Sequence, residues 1–184
     1  VLRPDLLRLK TRIESNEVQG ASMPHYNVLF LCTGNSARSI MAEAIMNRKG
    51  RENFMAFSAG SHPAGMVRPE AIHQIEKAGL SAADARSKSW DEFSKPDSPH
   101  LSFVFTVCDK AASEVCPFWP GQPMTAHWGV PDPAAAVGTP EEIERAFRDT
   151  FSILDRRIGL FLALPLSTLD HLAIQKEIDQ IGHR

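Results

Sequence analysis

Cys32 and Arg38 stand six residues apart at the two ends of the stretch CTGNSAR, and two more cysteines, Cys108 and Cys116, follow eight residues apart. A thiolate is a nucleophile, and a guanidinium offers a planar fork that fits two oxygens of a tetrahedral anion. The two act together if the residues between them form a loop whose amides converge on one point. Gly34 lets the backbone turn and approach a ligand. Asn35 tolerates the left-handed conformation, and Ser36 and Ser39 are placed to donate hydrogen bonds to the sulfur. The expected oxyanion site is therefore Thr33, Gly34, Asn35, Ser36, Ala37, Arg38 and Ser39, with Cys32 as nucleophile. The pattern G-x-x-x-x-G-K-[ST] is absent, so this is not a nucleotide loop. The plainer alternative is a buried cysteine ending a strand, with Arg38 in a surface ion pair.

Such a loop works only between a strand and a helix, because the first free N–H groups of the helix and its dipole then point at the anion. The flanking sequence meets that condition. YNVLFL (26–31) is an unbroken apolar run, as expected of a strand buried on both faces of a parallel sheet. SIMAEAIMNRKG (39–50) reads as a helix ending at Gly50. FMAFSAG (54–60), LSFVFTVC (101–108) and MTAHW (124–128) are further strand candidates. RPEAIHQIEKAGL is a helix with Pro69 near its start. TPEEIERAFRDTFSILDRRIGLFLAL is another, with Thr139 as N-cap, Pro140 at the first helical position and Glu142 closing a capping box. The last, STLDHLAIQKEIDQIGHR, offers Leu169, Leu172, Ile178 and Ile181 for packing. Alternating strands and helices imply an α/β sandwich with a mostly parallel sheet, whose ligand site lies beyond the carboxyl ends of the strands. Cys32 and Cys108 both fall at such ends.

The 184 residues, 43% of them apolar, suffice for one domain. Three divisions are expected: an N-terminal extension at 1–22, a catalytic domain at 23–165 and a C-terminal helical extension at 166–184. A net charge of -2 with cations spread along the chain gives no field for nucleic acid or an anionic membrane. The longest apolar run, IGLFLALPL, is too short to span a bilayer. The first 22 residues carry no secretory pattern, so a cytoplasmic location is expected. In that reducing compartment thiols are catalytic or metal-binding more often than structural. A zinc site with His127 as third ligand lacks both C-x2-C spacing and a fourth ligand, so no metal is expected.

The stretch VLFLCTGNSARSIMAEAI resembles the low-molecular-weight protein tyrosine phosphatases and the arsenate reductases that share their fold. That resemblance implies a three-layer sandwich around a four-stranded sheet, with Cys32 as nucleophile and Arg38 as oxyanion clamp. FSAG (57–60) resembles the end of the family's second strand. WGVPDPA (128–134) resembles the loop carrying its Asp-Pro general acid, which points to Asp132. A carboxylic acid above the loop also makes chemical sense, since the departing oxygen needs a proton. An Asp before Pro is equally a common turn residue. Some relatives bind potassium through a glutamate, matched by Glu43, and an aspartate, replaced by Ser89; the neighbouring Lys88 is expected to supply the missing charge.

A phosphatase of this fold needs one thiol, and TVCDKAASEVCPFWP (106–120) adds two. Arsenate and phosphate share shape and charge, but a thiol bound to arsenic invites attack by a second thiol with release of As(III). Cys32, Cys108 and Cys116 are accordingly expected to form a relay that reduces arsenate, ending in a Cys108–Cys116 disulfide. No tightly bound cofactor is expected. The partners would be the oxyanion and an external thiol donor, either thioredoxin or glutathione with glutaredoxin. Many relatives carry a second cysteine inside the loop, and Ala37 stands there instead. A tyrosine phosphatase with incidental cysteines, or a non-catalytic thiol sensor or arsenite-binding module, would carry the same loop.

Overall fold

A computed structural model describes residues 25–184; the extension expected at 1–22 lies outside them. Four strands, β1 (Tyr26–Cys32), β2 (Phe54–Gly60), β3 (Phe103–Thr106) and β4 (Met124–His127), form one sheet in the order β2-β1-β3-β4. Every pairing is parallel. The helices are α1 (Arg38–Lys49), α2 (Pro69–Lys77), α3 (Asp109–Ser113), α4 (Pro140–Leu162) and α5 (His171–Ile181).

β1 is central, and Val28, Leu29, Phe30 and Leu31 are wholly buried, which is why its sequence is a continuous apolar run. Its side chains alternate between two cores. Val28 and Phe30 face the larger one, built with α1, α2, α4 and α5. Leu29 and Leu31 face a smaller one with Phe93, Leu101 and Trp119. The third layer is thus thin: a 3-10 turn (Trp90–Phe93) and the Trp119 loop cover that face instead of a long helix. Each fully buried Phe or Leu contributes roughly 1.5–3 kcal/mol, so β1 anchors the loop that follows it.

α4 begins as expected: Thr139 Oγ1 accepts from Glu142 N at 3.2 Å and Glu142 Oε2 accepts from Thr139 N at 2.8 Å. α5 packs on β4 and α4 through Ile174, Ile178 and Ile181. Leu172, expected to pack, is 80% exposed, and Ile174 takes that place. Residues 166–184 therefore share the main core. Short α3 and the 3-10 turns Trp90–Phe93 and Pro133–Ala135 have too few residues for a periodic signal, and the sequence does not reveal them.

β1 pairs with β2 on one side and β3 on the other, so the chain switches direction across the sheet between them. In open parallel sheets the crevice at such a switch point is where ligands bind.

Candidate active site

The loop from Cys32 to Ala37 leaves β1 and enters α1 without a side-chain cap, since Ala37 offers no oxygen to the first helical amides. A neighbouring segment sets its polarity. The carbonyls of Thr33, Gly34 and Ser36 accept hydrogen bonds from the amides of His62, Ala64 and Arg68 at 2.9, 2.8 and 2.8 Å. Those three carbonyls are engaged outside the cavity, the polarity that an anion nest requires. A cavity of about 730 Å³ opens there, lined by Cys32, Gly34, Arg38, Cys108 and Asp132 among others.

Asn35 organises this loop far more than the sequence suggests. It is fully buried with φ of 43°, the left-handed conformation expected of it. Gly34, the residue expected to supply the unusual turn, has no positive φ. The Asn35 amide nitrogen donates to Ser39 Oγ at 2.9 Å and Ser58 Oγ at 3.0 Å, and its oxygen accepts from Lys88 N at 2.8 Å. Gly60, at the end of β2, makes room for the turn. A Cβ there would lie 2.5 Å from the Thr33 carbonyl and 3.0 Å from Asn35 N.

Cys32 is buried, with Sγ 3.0 Å from Ser39 Oγ and accepting from Asn35 N at 3.2 Å. The expected donor Ser36 makes no such contact, and the Asn35 amide takes its place. Arg38 reaches over the cavity, donating to the Val130 carbonyl at 3.3 Å and pairing with Asp132 at 3.2 Å. Asp132 is half exposed and also caps a 3-10 turn (Pro133–Ala135), accepting from Ala134 N at 3.1 Å. Turn residue and cavity carboxylate are therefore the same side chain.

Cys108, 2% exposed, lies across the crevice with Sγ 3.6 Å from Thr33 Oγ1. Its sulfur also caps α3, accepting from Ala111 N at 3.3 Å. Cys116 lies beyond α3, exposed and outside the cavity lining. Partial burial, and secondarily Glu114, push its thiol above the ordinary range. All three cysteines are free.

Behind the loop, Lys88 Nζ is 3.5 Å from Glu43 Oε2, 3.4 Å from Ser58 Oγ and 3.1 Å from the Arg86 carbonyl. Ser58 also donates to Glu43. Burial raises the Glu43 carboxyl, with Lys88 opposing that rise. Hydrogen bonds thus run from Cys32 through Ser39, Asn35 and Ser58 to this buried pair. His127, the third zinc ligand considered from sequence, bonds instead to Thr106 Oγ1 at 2.8 Å and Asp109 Oδ1 at 2.9 Å. No group of three or more metal-binding side chains occurs among the described residues. None of their helices is long and apolar enough to cross a membrane.

One supporting residue escaped sequence reasoning. Arg157 is buried on α4 and donates from Nη1 to the Trp128 and Gly129 carbonyls at 2.9 and 3.0 Å, steadying the segment that leads to Asp132. Trp128 itself stacks on Phe105 at 4.0 Å and donates to the Ile178 carbonyl. A signal for Arg157 exists: it falls on the apolar stripe of α4, between Leu154 and Phe161.

Comparison with known proteins agrees with this architecture. An arsenate reductase from Halalkalibacterium halodurans is 36% identical over 136 residues, covering 73% of this chain and 93% of the relative. A solved structure described as an arsenate reductase in the phosphate binding state superposes with a TM-score of 0.62 at 25% identity, over 75% of this chain and 97% of the other. A low molecular weight protein tyrosine phosphatase from T. tengcongensis gives 0.60 at 25% identity, over 73% and 95%. Residues 27–176 match the model of the low molecular weight phosphotyrosine protein phosphatase family, and the chain belongs to that family.

Proposed function

We propose that this chain reduces arsenate to arsenite by passing oxidation through three thiols. The supporting observation is that a second buried thiol, Cys108, shares the cavity of Cys32 across Thr33, while a third, Cys116, is exposed. Phosphate-ester hydrolysis needs only the first. The name carried by the Halalkalibacterium halodurans relative supports the same substrate.

The loop amides and the Arg38 fork hold three arsenate oxygens, and the Cys32 thiolate, stabilised by Ser39 and Asn35, attacks As(V). Asp132, above the loop, gives a proton to the oxygen that departs as water. The Cys108 thiolate then attacks Cys32 Sγ. A Cys32–Cys108 bond forms, the electron pair of the As–S bond stays on arsenic, and arsenite leaves as As(III). Cys116 attacks Cys108 Sγ in turn, releasing Cys32 as thiolate. The resulting Cys108–Cys116 disulfide is reduced by an external donor in the reducing cytoplasm.

The chemistry around Cys116 favours a protein dithiol of the thioredoxin class. Glu114, two residues from Cys116, would repel the carboxylates of glutathione. Val115 and Phe118 beside Cys116 are 94% and 74% exposed, an apolar pair suited to a protein face. Lys88 supplies at Glu43 the positive charge that some relatives take from potassium.

Arsenate turnover tests the reading, with thioredoxin and its reductase or glutathione with glutaredoxin as the donor system. Cys32→Ser is expected to be inactive. Cys116→Ser is expected to stop after one turnover with a Cys32–Cys108 disulfide. Full multiple turnover by Cys108→Ser would overturn the relay. The family match and Asp132 also suit phosphate-ester cleavage, so aryl phosphate hydrolysis without arsenate reduction would establish the phosphatase instead. Neither activity would favour the thiol sensor.

A further inference from the structure

Asp109 directly follows Cys108 and opens α3, the helix that separates the two later thiols. Its Oδ1 lies 2.9 Å from His127 Nε2, and His127 Nδ1 lies 2.8 Å from Thr106 Oγ1. The Nε2–H of His127 donates to the Asp109 carboxylate, and Nδ1 pairs with the Thr106 hydroxyl, which can act as donor or acceptor. Thr106 and His127 are paired at the ends of β3 and β4, so the first residue of α3 is tied to the edge of the sheet. Gly129 leaves the space this needs: a Cβ there would fall 2.6 Å from both Asp109 Oδ1 and His127 Nε2.

α3 has little else to hold it. Five residues are far fewer than an isolated helix needs, and only Ala111 is buried. Its cap is a sulfur, which is a weak acceptor. That sulfur is also the one that must leave. A disulfide requires Cα atoms roughly 4.4–6.8 Å apart with both sulfurs in contact, whereas Cys108 is sequestered in the cavity wall and Cys116 is exposed beyond the helix. A Cys108 sulfur that turns toward Cys116 would give up its cap on Ala111 N, and the adjoining Asp109 would move with it.

We propose that the His127–Asp109 hydrogen bond is a latch on the helix between the two relay thiols, which makes His127 a positioning residue for thiol transfer. Closed, it keeps Cys108 facing Cys32 across Thr33. It opens when Cys116 attacks Cys108 Sγ, the Cys108–Cys116 bond forms and Cys32 leaves as thiolate. The latch stabilises the dithiol relative to the disulfide, and so makes the disulfide easier to reduce. The inference rests on the three-thiol relay described above.

The test is the midpoint potential of the Cys108–Cys116 couple, measured on the full chain against a dithiothreitol couple, with alkylation and mass mapping to identify the bond. His127→Phe and Asp109→Ala are each expected to shift the equilibrium three- to tenfold toward the disulfide, tenfold being about 30 mV more negative. The double variant should go no further than either single one, since both remove the same bond. Asp109→Asn keeps an acceptor and should stay near wild type. Unchanged potentials in two singles that retain wild-type circular dichroism, or additive shifts, would overturn the latch and leave the relay standing. Failure of wild type to form the Cys108–Cys116 bond would overturn both.

Discussion

Replacing Lys88 with Met tests how the buried charge behind the Cys32 loop is balanced. In the folded protein Nζ is 3.5 Å from Glu43 Oε2, with the two side chains 7% and 19% exposed. At an effective dielectric of about 20, that separation corresponds to roughly 5 kcal/mol of attraction. Removing the cation does not cost the full amount, because Glu43 can take a proton. From an ordinary value of 4.5, protonation at pH 7 costs at most about 3.4 kcal/mol, and burial, which raises this carboxyl, lowers that ceiling. Lys88→Met is therefore expected to destabilise by about 2–3 kcal/mol at pH 7. The sign with pH follows from the raised carboxyl. The folded state favours protonated Glu43, so stability from this group is fully present below the unfolded value and is lost as pH rises through the folded one. The variant's deficit should consequently shrink as pH falls toward 4.5. Urea unfolding followed by tryptophan fluorescence at several pH values measures it, in potassium and in sodium. Potassium should partly restore the variant and leave wild-type stability and turnover unchanged. A deficit under about 0.5 kcal/mol, a deficit independent of pH, or wild-type activity rising steeply with potassium would refute the charge balance.

Three other outcomes are expected. In a Cys32→Ser, Cys108→Ser background, alkylation of Cys116 should rise with pH later than that of a small free thiol. Glu114→Gln should move it back only slightly, since burial is the larger cause; an iodoacetamide rate profile checks both. Gly60→Ala puts a methyl against the Thr33 carbonyl and Asn35, so it should cost about 1–3 kcal/mol and weaken inhibition by phosphate, read by denaturation and competition. Arg157→Met keeps the apolar stem and orphans the Trp128 and Gly129 carbonyls, for about 2–4 kcal/mol of stability and a lower kcat, measured by unfolding and arsenate turnover.

The loop was legible because its requirements are local. A strand buried on both faces must be apolar throughout, a helix start leaves free amides, and Asn suits a left-handed turn; these signals fall within residues 26 to 50. The capping box of α4 was legible for the same reason. Partnerships across the sheet were not. That Asn35, rather than Ser36, bonds the Cys32 sulfur depends on a backbone turn held open by Gly60. That Leu172 is exposed and Ile174 buried depends on the direction from which α5 meets β4. Neither fact has a counterpart in the spacing of residues along the chain.

By itself, then, the sequence determined the chemical types available: one thiol in a Gly-Asn-Ser loop between a strand and a helix, an arginine fork, a carboxylate and two further thiols. Only the tertiary structure decided their division. Parallel pairing of β1 with β3 brings Cys108 to Thr33 across the crevice, although they are 75 residues apart. The winding of α3 leaves Cys116 outside. Spacing along a chain constrains groups within a turn or two, whereas register between strands sets which distant groups meet, and that register follows from which faces the whole sheet can bury.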